Sequence, residues 1–363
     1  MLSDLIEEEL RAAGGWIGFD RFMDLALYAP GLGYYASQSR KFGAMPASGS
    51  DFVTAPEMTP LFAQALARQV AEALQRSGTR EIWEFGAGSG ALAADLLDAL
   101  RAMDVDIGNY RIIELSSALR ERQRSRLQAH LSLVEWPEAL PAALHGVLLG
   151  NEVLDAMPVQ LLARVGGVWH ERGVALSSQR GGLLWADRPT ALRPPVEIEG
   201  GHDYLTEIHP RAEAFVRTLA EHLGRSDKGG TALLIDYGFP EGEYYDAQRH
   251  MGTLMCHRGH RSDMDPLADV GLKDITAHVN FTGIALAAQE AGMQVLGYTS
   301  QARFLLNCGL PSLLAQAGLA DRALGQKLIN EHEMGELFKV IAFGPGAAWE
   351  PLGFLAGDRT HTL

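Results

Sequence analysis

The run Ile82-Trp83-Glu84-Phe85-Gly86-Ala87-Gly88-Ser89-Gly90 constrains the fold of this chain more than any other stretch. An apolar start, an acid and three alternating glycines predict a strand that turns sharply into a helix. Glycine takes positive φ at no steric cost and lets main-chain N–H groups come close to a ligand at the positive end of a helix. Beyond it, Leu92, Leu96, Leu97, Leu100 and Met103 fall on one helical stripe suited to packing on a sheet. The unit predicts an α/β fold that binds a ligand beyond the carboxyl ends of parallel strands.

The spacing narrows the ligand. Gly-x-Gly-x-Gly with an acid two residues before the first glycine differs from the dinucleotide fingerprint, which is Gly-x-Gly-x-x-Gly with its acid on the second strand. The form here resembles the first motif of S-adenosylmethionine (SAM) methyltransferases. The competing reading is an ordinary strand-to-helix turn.

With 363 residues and 47% hydrophobic content, the chain can build one large α/β domain with insertions, or two smaller ones. A formal net charge of −14 without a dense Lys/Arg run argues against a nucleic-acid partner. Cys256 and Cys308 are too few for a disulfide framework, which points to a reducing compartment. The acidic start is unlike a secretory or mitochondrial leader, and no apolar run reaches membrane-spanning length. The expectation is a soluble cytoplasmic protein, or one of the mitochondrial matrix if the source is eukaryotic.

Along the chain we expect an N-terminal helical and lid region (1–80), a first part of the core (81–158), a β insertion (159–209) and a second part of the core with substrate-side loops (210–363). Helices are predicted at 59–75, 118–130, 210–223 and 281–291, and strands at 110–115, 131–134, 146–150, 231–238, 293–298 and 337–343. Short β-prone pieces broken by glycine pairs predict an antiparallel meander over 159–185, and residues 239–269 read as loop. A final antiparallel pair at one sheet edge would suit a methyltransferase better than a dehydrogenase.

Four groups of residues lie at predicted strand ends. Glu84 can brace the glycine turn and attract a ligand's ammonium group. Glu114 can accept hydrogen bonds from both ribose hydroxyls. Asn151-Glu152-Val153-Leu154-Asp155 and Asp236-Tyr237 should face the methyl group. Methyl transfer from a sulfonium is a direct displacement, so the chain must hold nucleophile, carbon and sulfur in line. If the acceptor is arginine, full deprotonation beforehand would cost roughly 9 kcal/mol at neutral pH, and carboxylates that orient the guanidinium and take its proton late lower that cost. Glu152, Asp155 and Asp236 are the catalytic candidates. The competing reading makes them helix-capping or salt-bridging acids.

Five separated motifs occur in one order: Asp51-Phe52-Val53-Thr54-Ala55-Pro56-Glu57, the glycine loop, Asn151-Glu152-Val153-Leu154-Asp155-Ala156-Met157-Pro158, Ile235-Asp236-Tyr237-Gly238, and Asp274-Ile275-Thr276-Ala277-His278-Val279-Asn280-Phe281. Together they resemble the MidA family, which includes the mitochondrial arginine methyltransferase needed for complex I assembly. The resemblance implies a Rossmann-like class I methyltransferase fold with a mostly parallel seven-stranded sheet, an N-terminal helical cap and a small antiparallel insertion. It implies SAM as donor, S-adenosylhomocysteine as product, a protein arginine as acceptor and a complex I subunit as partner. The donor-binding residues would be Glu84, Gly86, Ala87, Gly88, Gly90, Glu114, Asn151, Thr54 and Glu57. Residues 51–57 would fold over the donor, with Phe52 covering it and Thr54 and Glu57 on its polar end; the same stretch also reads as a helix entry capped by Thr54 or Thr59. The chain departs from the family loop at Phe85, Ala87 and Ser89, where leucine, proline and arginine are usual.

Other features carry less. Cys256, His257, His260 and His278 lack metal-ligand spacing, so no metal is expected, and His260 and Asp265 would instead shape an acceptor entrance with Arg258 and Arg261. Ser89 faces a ligand and belongs to no serine nucleophile elbow. Tyr34-Tyr35 and Tyr244-Tyr245 read as packing or rim residues. The rival functions are a small-molecule or lipid methyltransferase, a non-catalytic SAM-binding assembly chaperone, and, third, an NAD oxidoreductase. The meander would serve as a docking face or as the contact of a homodimer.

Overall fold

The computed structural model describes residues 1–36, 54–177 and 182–363. The chain opens with α1 (Leu2–Ala12), the short strand β1 (Trp16–Gly18) and α2 (Phe19–Tyr28). Leu2, Ile6 and Leu10, at helical spacing, are the buried face of α1. α3 (Ala55–Met58) and α4 (Leu61–Ser77) follow. α4 lies two residues later than predicted because Pro60 sits at its start and Gly78, in the left-handed conformation, ends it. Asp51 and Phe52 lie outside the described residues.

The core begins with β2 (Glu81–Phe85), α5 (Ala91–Ala102), β3 (Asn109–Ile113), α6 (Ser117–Arg126), β4 (Val134–Glu135) and β5 (Gly146–Asn151). The strand expected at 131–134 is reduced to β4, and β3 stops short of Glu114, which leaves that acid on the loop beyond the sheet. The insertion holds β6 (Gln160–Val165), β7 (Val168–Leu176), β8 (Leu183–Pro189) and β9 (Tyr204–Ile208). The core resumes with α7 (Pro210–Gly224), β10 (Gly230–Phe239) and α8 (Glu241–Tyr244). Then come β11 (Met255–Arg258), β12 (Arg261–Asp263), β13 (Asp274–Thr276), β14 (Val279–Asn280), α9 (Phe281–Glu290) and β15 (Gln294–Ser300). The chain then runs through α10 (Gln301–Asn307), α11 (Leu310–Gln316) and α12 (Leu319–Lys327) to β16 (Phe338–Gly344).

The main sheet has the order β15-β16-β10-β5-β2-β3-β4, with β14 paired beside β10 as an eighth strand. The five strands from β10 to β4 are parallel, and β16 runs antiparallel between β10 and β15. The sheet is thus mixed, with the expected antiparallel pair at one edge. Alternate residues of β10 serve two cores. Leu233 and Ile235 join the side covered by α4 and α5, while Ala232 and Leu234 join the side covered by α7 and α9. Burial on both faces is what makes this strand a continuous apolar run. Chain direction across the sheet diverges at β2, which pairs with β3 on one side and β5 on the other. The crevice at such a switch point receives ligands, and the glycine loop stands there.

The predicted insertion is not closed on itself. Its sheet runs β1-β7-β6-β9, with β8 on β7, so the N-terminal region supplies a strand through Ile17 paired with Val174. Three residues are too short for periodicity to show. The predicted loop at 239–269 also proves structured, since β11 and β12 form a hairpin in a β12-β11-β13 sheet. Its turn, Gly259 and His260, has φ of 57° and 59°, a primed-type turn. The usual Asn-Gly or Asp-Gly signal for such a turn is absent.

Candidate active site

The carboxyl ends of β2, β3, β5 and β10 open into one cavity of about 1130 Å³. At its floor Gly86, Gly88 and Gly90 have φ of 63°, 53° and 83°. The Gly86 N–H donates to Ile113 O at 3.2 Å and the Gly90 N–H to Ala87 O at 2.7 Å, which sets the turn. A Cβ on Gly86 would lie 3.2 Å from Val153 Cγ2. Gly86, Ala87, Gly88 and Ser89 line the cavity, whereas Gly90 closes the turn as the N-cap of α5.

Both early acids reach this cavity. Glu84 is buried, and Tyr110 Oη donates to its Oε2 at 2.6 Å. Burial pushes the Glu84 carboxyl up to about 7 against the pull of that hydrogen bond. Glu114 accepts from the Ser116 N–H at 2.9 Å through Oε1 and from Gln123 Nε2 at 3.0 Å through Oε2. The same Gln123 nitrogen donates to Gly88 O at 2.9 Å, tying α6 to the glycine loop. Burial raises the Glu114 carboxyl above its usual range. A carboxylate has about four acceptor sites, so Glu114 can take further donors.

Asn151 at the end of β5, with Glu152 and Asp155 just beyond it, also lines the cavity. The Glu152 N–H donates to Ile235 O at 2.9 Å, and Glu152 has φ of 54°, a strained value for a non-glycine residue. Its carboxyl is raised to about 8, first by burial and then by the charge of Asp155, while a hydrogen bond from Asn151 opposes the rise. Asp155 is raised to about 6 by burial, opposed by the Tyr237 hydroxyl. Asn151 Oδ1 and Asp155 Oδ1 are buried without a hydrogen-bond partner. Asp236 stands apart from these. It is not among the lining residues, and its Oδ2 accepts from the N–H groups of Val153, Leu154 and Asp155 at 3.1, 2.9 and 3.3 Å.

Thr54 and Glu57 line the cavity from α3. Thr54 is the N-cap residue of α3 but makes no side-chain cap bond, and it does not cap α4. Thr59 instead accepts from the Leu61 N–H at 3.4 Å. Glu57 is engaged by protein groups: Ser89 Oγ donates to it, and Arg126 Nη1 lies 3.2 Å from Oε1 and 3.3 Å from Oε2. Ser89 thus faces the cavity but is tied to its wall.

The sequence reading missed part of the far wall. Tyr237 lines the cavity as expected, and so do Tyr28, Tyr35, Asp274 and His278, which that reading gives no place in the site. The Tyr34-Tyr35 pair divides, for Tyr34 is core and Tyr35 is wall, whereas Tyr244 and Tyr245 are both buried in packing. Cys256 and His257 point to opposite faces of β11: Cys256 enters the core, where burial pushes its thiol up to about 12, and His257 lines the cavity. His260, Asp265, Arg258 and Arg261 are absent from the lining.

A family model of S-adenosyl-L-methionine-dependent methyltransferases matches residues 65–299. The chain belongs to this family. The five-motif resemblance to MidA proteins is borne out, and SAM is the methyl donor of this methyltransferase. A crystal structure from Burkholderia thailandensis with S-adenosyl-homocysteine bound is 50% identical, covers 100% of this chain and 96% of its own, and superposes with a TM-score of 0.94. A native crystal structure from the same organism is 49% identical over 100% of this chain and 96% of its own, with a TM-score of 0.89. The mitochondrial protein arginine methyltransferase NDUFAF7 homolog of Caenorhabditis elegans is 26% identical, covering 99% of this chain and 91% of the relative. NDUFAF7 of Danio rerio is 27% identical, covering 91% and 84%.

The residues fit the donor. The glycine turn bares its main chain at a helix start, Glu114 offers acceptors for a diol, and the unpartnered Asn151 Oδ1 stands at the next strand end.

Proposed function

We propose that this methyltransferase modifies an arginine side chain of a protein. The observation that carries this reading is the pair Glu152 and Asp155, two carboxyls lining the same cavity as the glycine loop, with Asp155 buried and holding an unpartnered oxygen. The names of the NDUFAF7 relatives support it. The MidA resemblance makes a complex I subunit, or its assembly intermediate, the first acceptor to try.

When bound, SAM supplies an electrophilic methyl group on a sulfonium, and S-adenosylhomocysteine is the product. Glu84, Glu114, Asn151, Thr54 and the glycine loop would hold the donor, with Glu57 supporting the loop through Ser89 and Arg126. Glu152 and Asp155 would accept the guanidinium N–H groups, fix the attacking nitrogen and take its proton as the new bond forms. A base raised toward neutral pH is matched to that task. Asp236 is a positioning residue in this scheme, since its contacts hold the turn that carries Glu152 and Asp155. We read the strand order as the class I methyltransferase arrangement, with 81–158 and 210–363 as the core, 1–80 as a cap and 159–209 as an insertion.

The test is incubation with methyl-labelled SAM and complex I subunits, followed by mass spectrometry of the products. Label on an arginine is expected. Label confined to a lipid or a metabolite would overturn the reading, and SAM binding without any transfer would favour an assembly chaperone.

A further inference from the structure

α6 carries a polar residue where an apolar one is expected. Leu119, Gln123 and Leu127 follow one another at four-residue spacing as a buried helical stripe, and Gln123 in its middle is 0% exposed. Burying an amide costs free energy unless its polar atoms find partners, whereas a leucine in this place would pack without that cost. The helix backbone lies against the glycine loop here, since a Cβ on Gly90 would stand 3.5 Å from Gln123 Cα.

The partners of Gln123 belong to the donor site. Trp136 Nε1 can only donate, and it donates to Gln123 Oε1 at 2.8 Å, which fixes which end of the amide is the NH₂ group. Nε2 donates to Gly88 O at 2.9 Å and to Glu114 Oε2 at 3.0 Å. The first of these bonds fixes the plane of the trans peptide between Gly88 and Ser89, two residues that line the cavity. The second orients the carboxylate of Glu114, which the Ser116 N–H holds through Oε1, while Arg120 Nε donates to Glu114 O at 2.8 Å. α6 and its N-cap are thus the mount of Glu114. A single side chain spans the turn after β2 and the loop after β3, the two elements that flank the switch point.

We propose that Gln123 is a positioning residue for the methyl donor: its amide holds the Glu114 carboxylate and the Gly88 main chain at one fixed spacing, so that the ribose diol meets a carboxylate already aimed at it. The inference rests on reading Glu114 as the acceptor of the ribose hydroxyls. It also accounts for an amide in an apolar stripe, which helix packing alone does not require.

The experiment is calorimetry on the full chain with S-adenosylhomocysteine, adenosine and 2′,3′-dideoxyadenosine, which lacks the diol. In the parent, adenosine should bind roughly ten-fold more tightly than the dideoxy compound, the ordinary margin for charge-assisted hydrogen bonds. Gln123→Met keeps the length of the side chain but donates nothing. It should weaken S-adenosylhomocysteine roughly ten-fold and remove most of the diol margin while circular dichroism stays native. Combining it with Glu114→Gln should cost no more than about twofold beyond the worse single variant, because both act on one contact. Gln123→Glu keeps the Trp136 contact and sets an oxygen against Glu114, so it decides the matter by the same margin if Gln123→Met fails to fold. A full diol margin in a folded Gln123 variant, equal weakening of both nucleosides, or full additivity with Glu114→Gln would overturn the proposal and leave Gln123 a packing residue. Absence of any diol margin in the parent, with S-adenosylhomocysteine bound, would instead sink the reading of Glu114 and the proposal with it.

Discussion

Asp236 Oδ2 accepts the Leu154 N–H at 2.9 Å, so the end of β10 holds the turn after β5 by its main chain. Three N–H groups converge on that one oxygen. Burial and the neighbouring Asp155 and Glu152 push the Asp236 carboxyl well above its usual range, so Asp236→Asn mainly turns an NH₂ group toward these donors, and each buried hydrogen bond lost costs about 1–3 kcal/mol. We expect a lower thermal midpoint and a fall of roughly ten-fold or more in transfer rate, with S-adenosylhomocysteine binding retained. Full turnover would return Asp236 to a purely structural role.

The raised carboxyls of Glu152 and Asp155 make stability depend on pH with a definite sign. Glu152 moves from 4.5 to about 8 on folding, and Asp155 from 3.8 to about 6. Between those limits the folded chain binds more protons than the unfolded one, so stability falls as pH rises toward about 8 and levels off beyond it. Glu152→Gln removes its share, on the order of a few kcal/mol. Thermal melts of the ligand-free protein should show the variant well above the parent at pH 8 and close to it at pH 4.5. A constant offset between the two would contradict the assignment. In the parent, kcat/KM should rise with pH as Glu152 ionises, and that limb should vanish in Glu152→Gln.

Gly88 has φ of 53° and lines the cavity. A β-branched side chain there is strained and blocks the approach of a ligand to the main chain. Gly88→Val should abolish S-adenosylhomocysteine binding in calorimetry while circular dichroism stays native. Measurable binding by a folded variant would show that the turn does not touch the donor.

Glu114→Gln keeps shape but loses the charge that strengthens hydrogen bonds from hydroxyls. Donor affinity should drop roughly ten-fold, from about 1.5 kcal/mol. Unchanged affinity would move the ribose contact elsewhere.

Arg126 is two-fifths exposed where it meets Glu57. Such a pair is worth only about 0.5–1 kcal/mol and is screened by salt. Arg126→Ala should weaken donor binding by roughly two- to five-fold at low salt, with the difference shrinking at high salt. A loss of much larger size would mean that Arg126 touches the ligand itself.

The main sheet was legible because β2, β5 and β10 are apolar runs followed by acids, and because three alternating glycines mark a turn that few other residues can make. The part of the cavity around the glycine loop was legible for the same reason. Its residues sit at fixed offsets from strand ends, as Glu84 and Glu114 do. The wall formed by Tyr28, Tyr35 and Asp274 was not. Tyr35 and Asp274 meet across 239 positions, and no local periodicity encodes such a meeting. Asp236 misled for a related reason, since an acid at a strand end looks the same in sequence whether it points into the cavity or back at the main chain. The hairpin of β11 and β12 was hidden by a turn whose residues, Gly259 and His260, include only one glycine.

The pairing of Ile17 with Val174 has a consequence for how the molecule is made. β1 leaves a ribosome before the glycine loop and β5, yet its partner β7 emerges only after them. The N-terminal helices, with Leu10, Phe19 and Phe22 sharing a core with Leu161 and Val174, must wait with their apolar faces uncovered. Non-local strand pairing of this kind is slow and leaves surface open to aggregation while it waits. The side of the cavity that bears Tyr28 and Tyr35 is therefore completed late, so a nascent chain can hold a folded glycine loop before the cavity is closed around it.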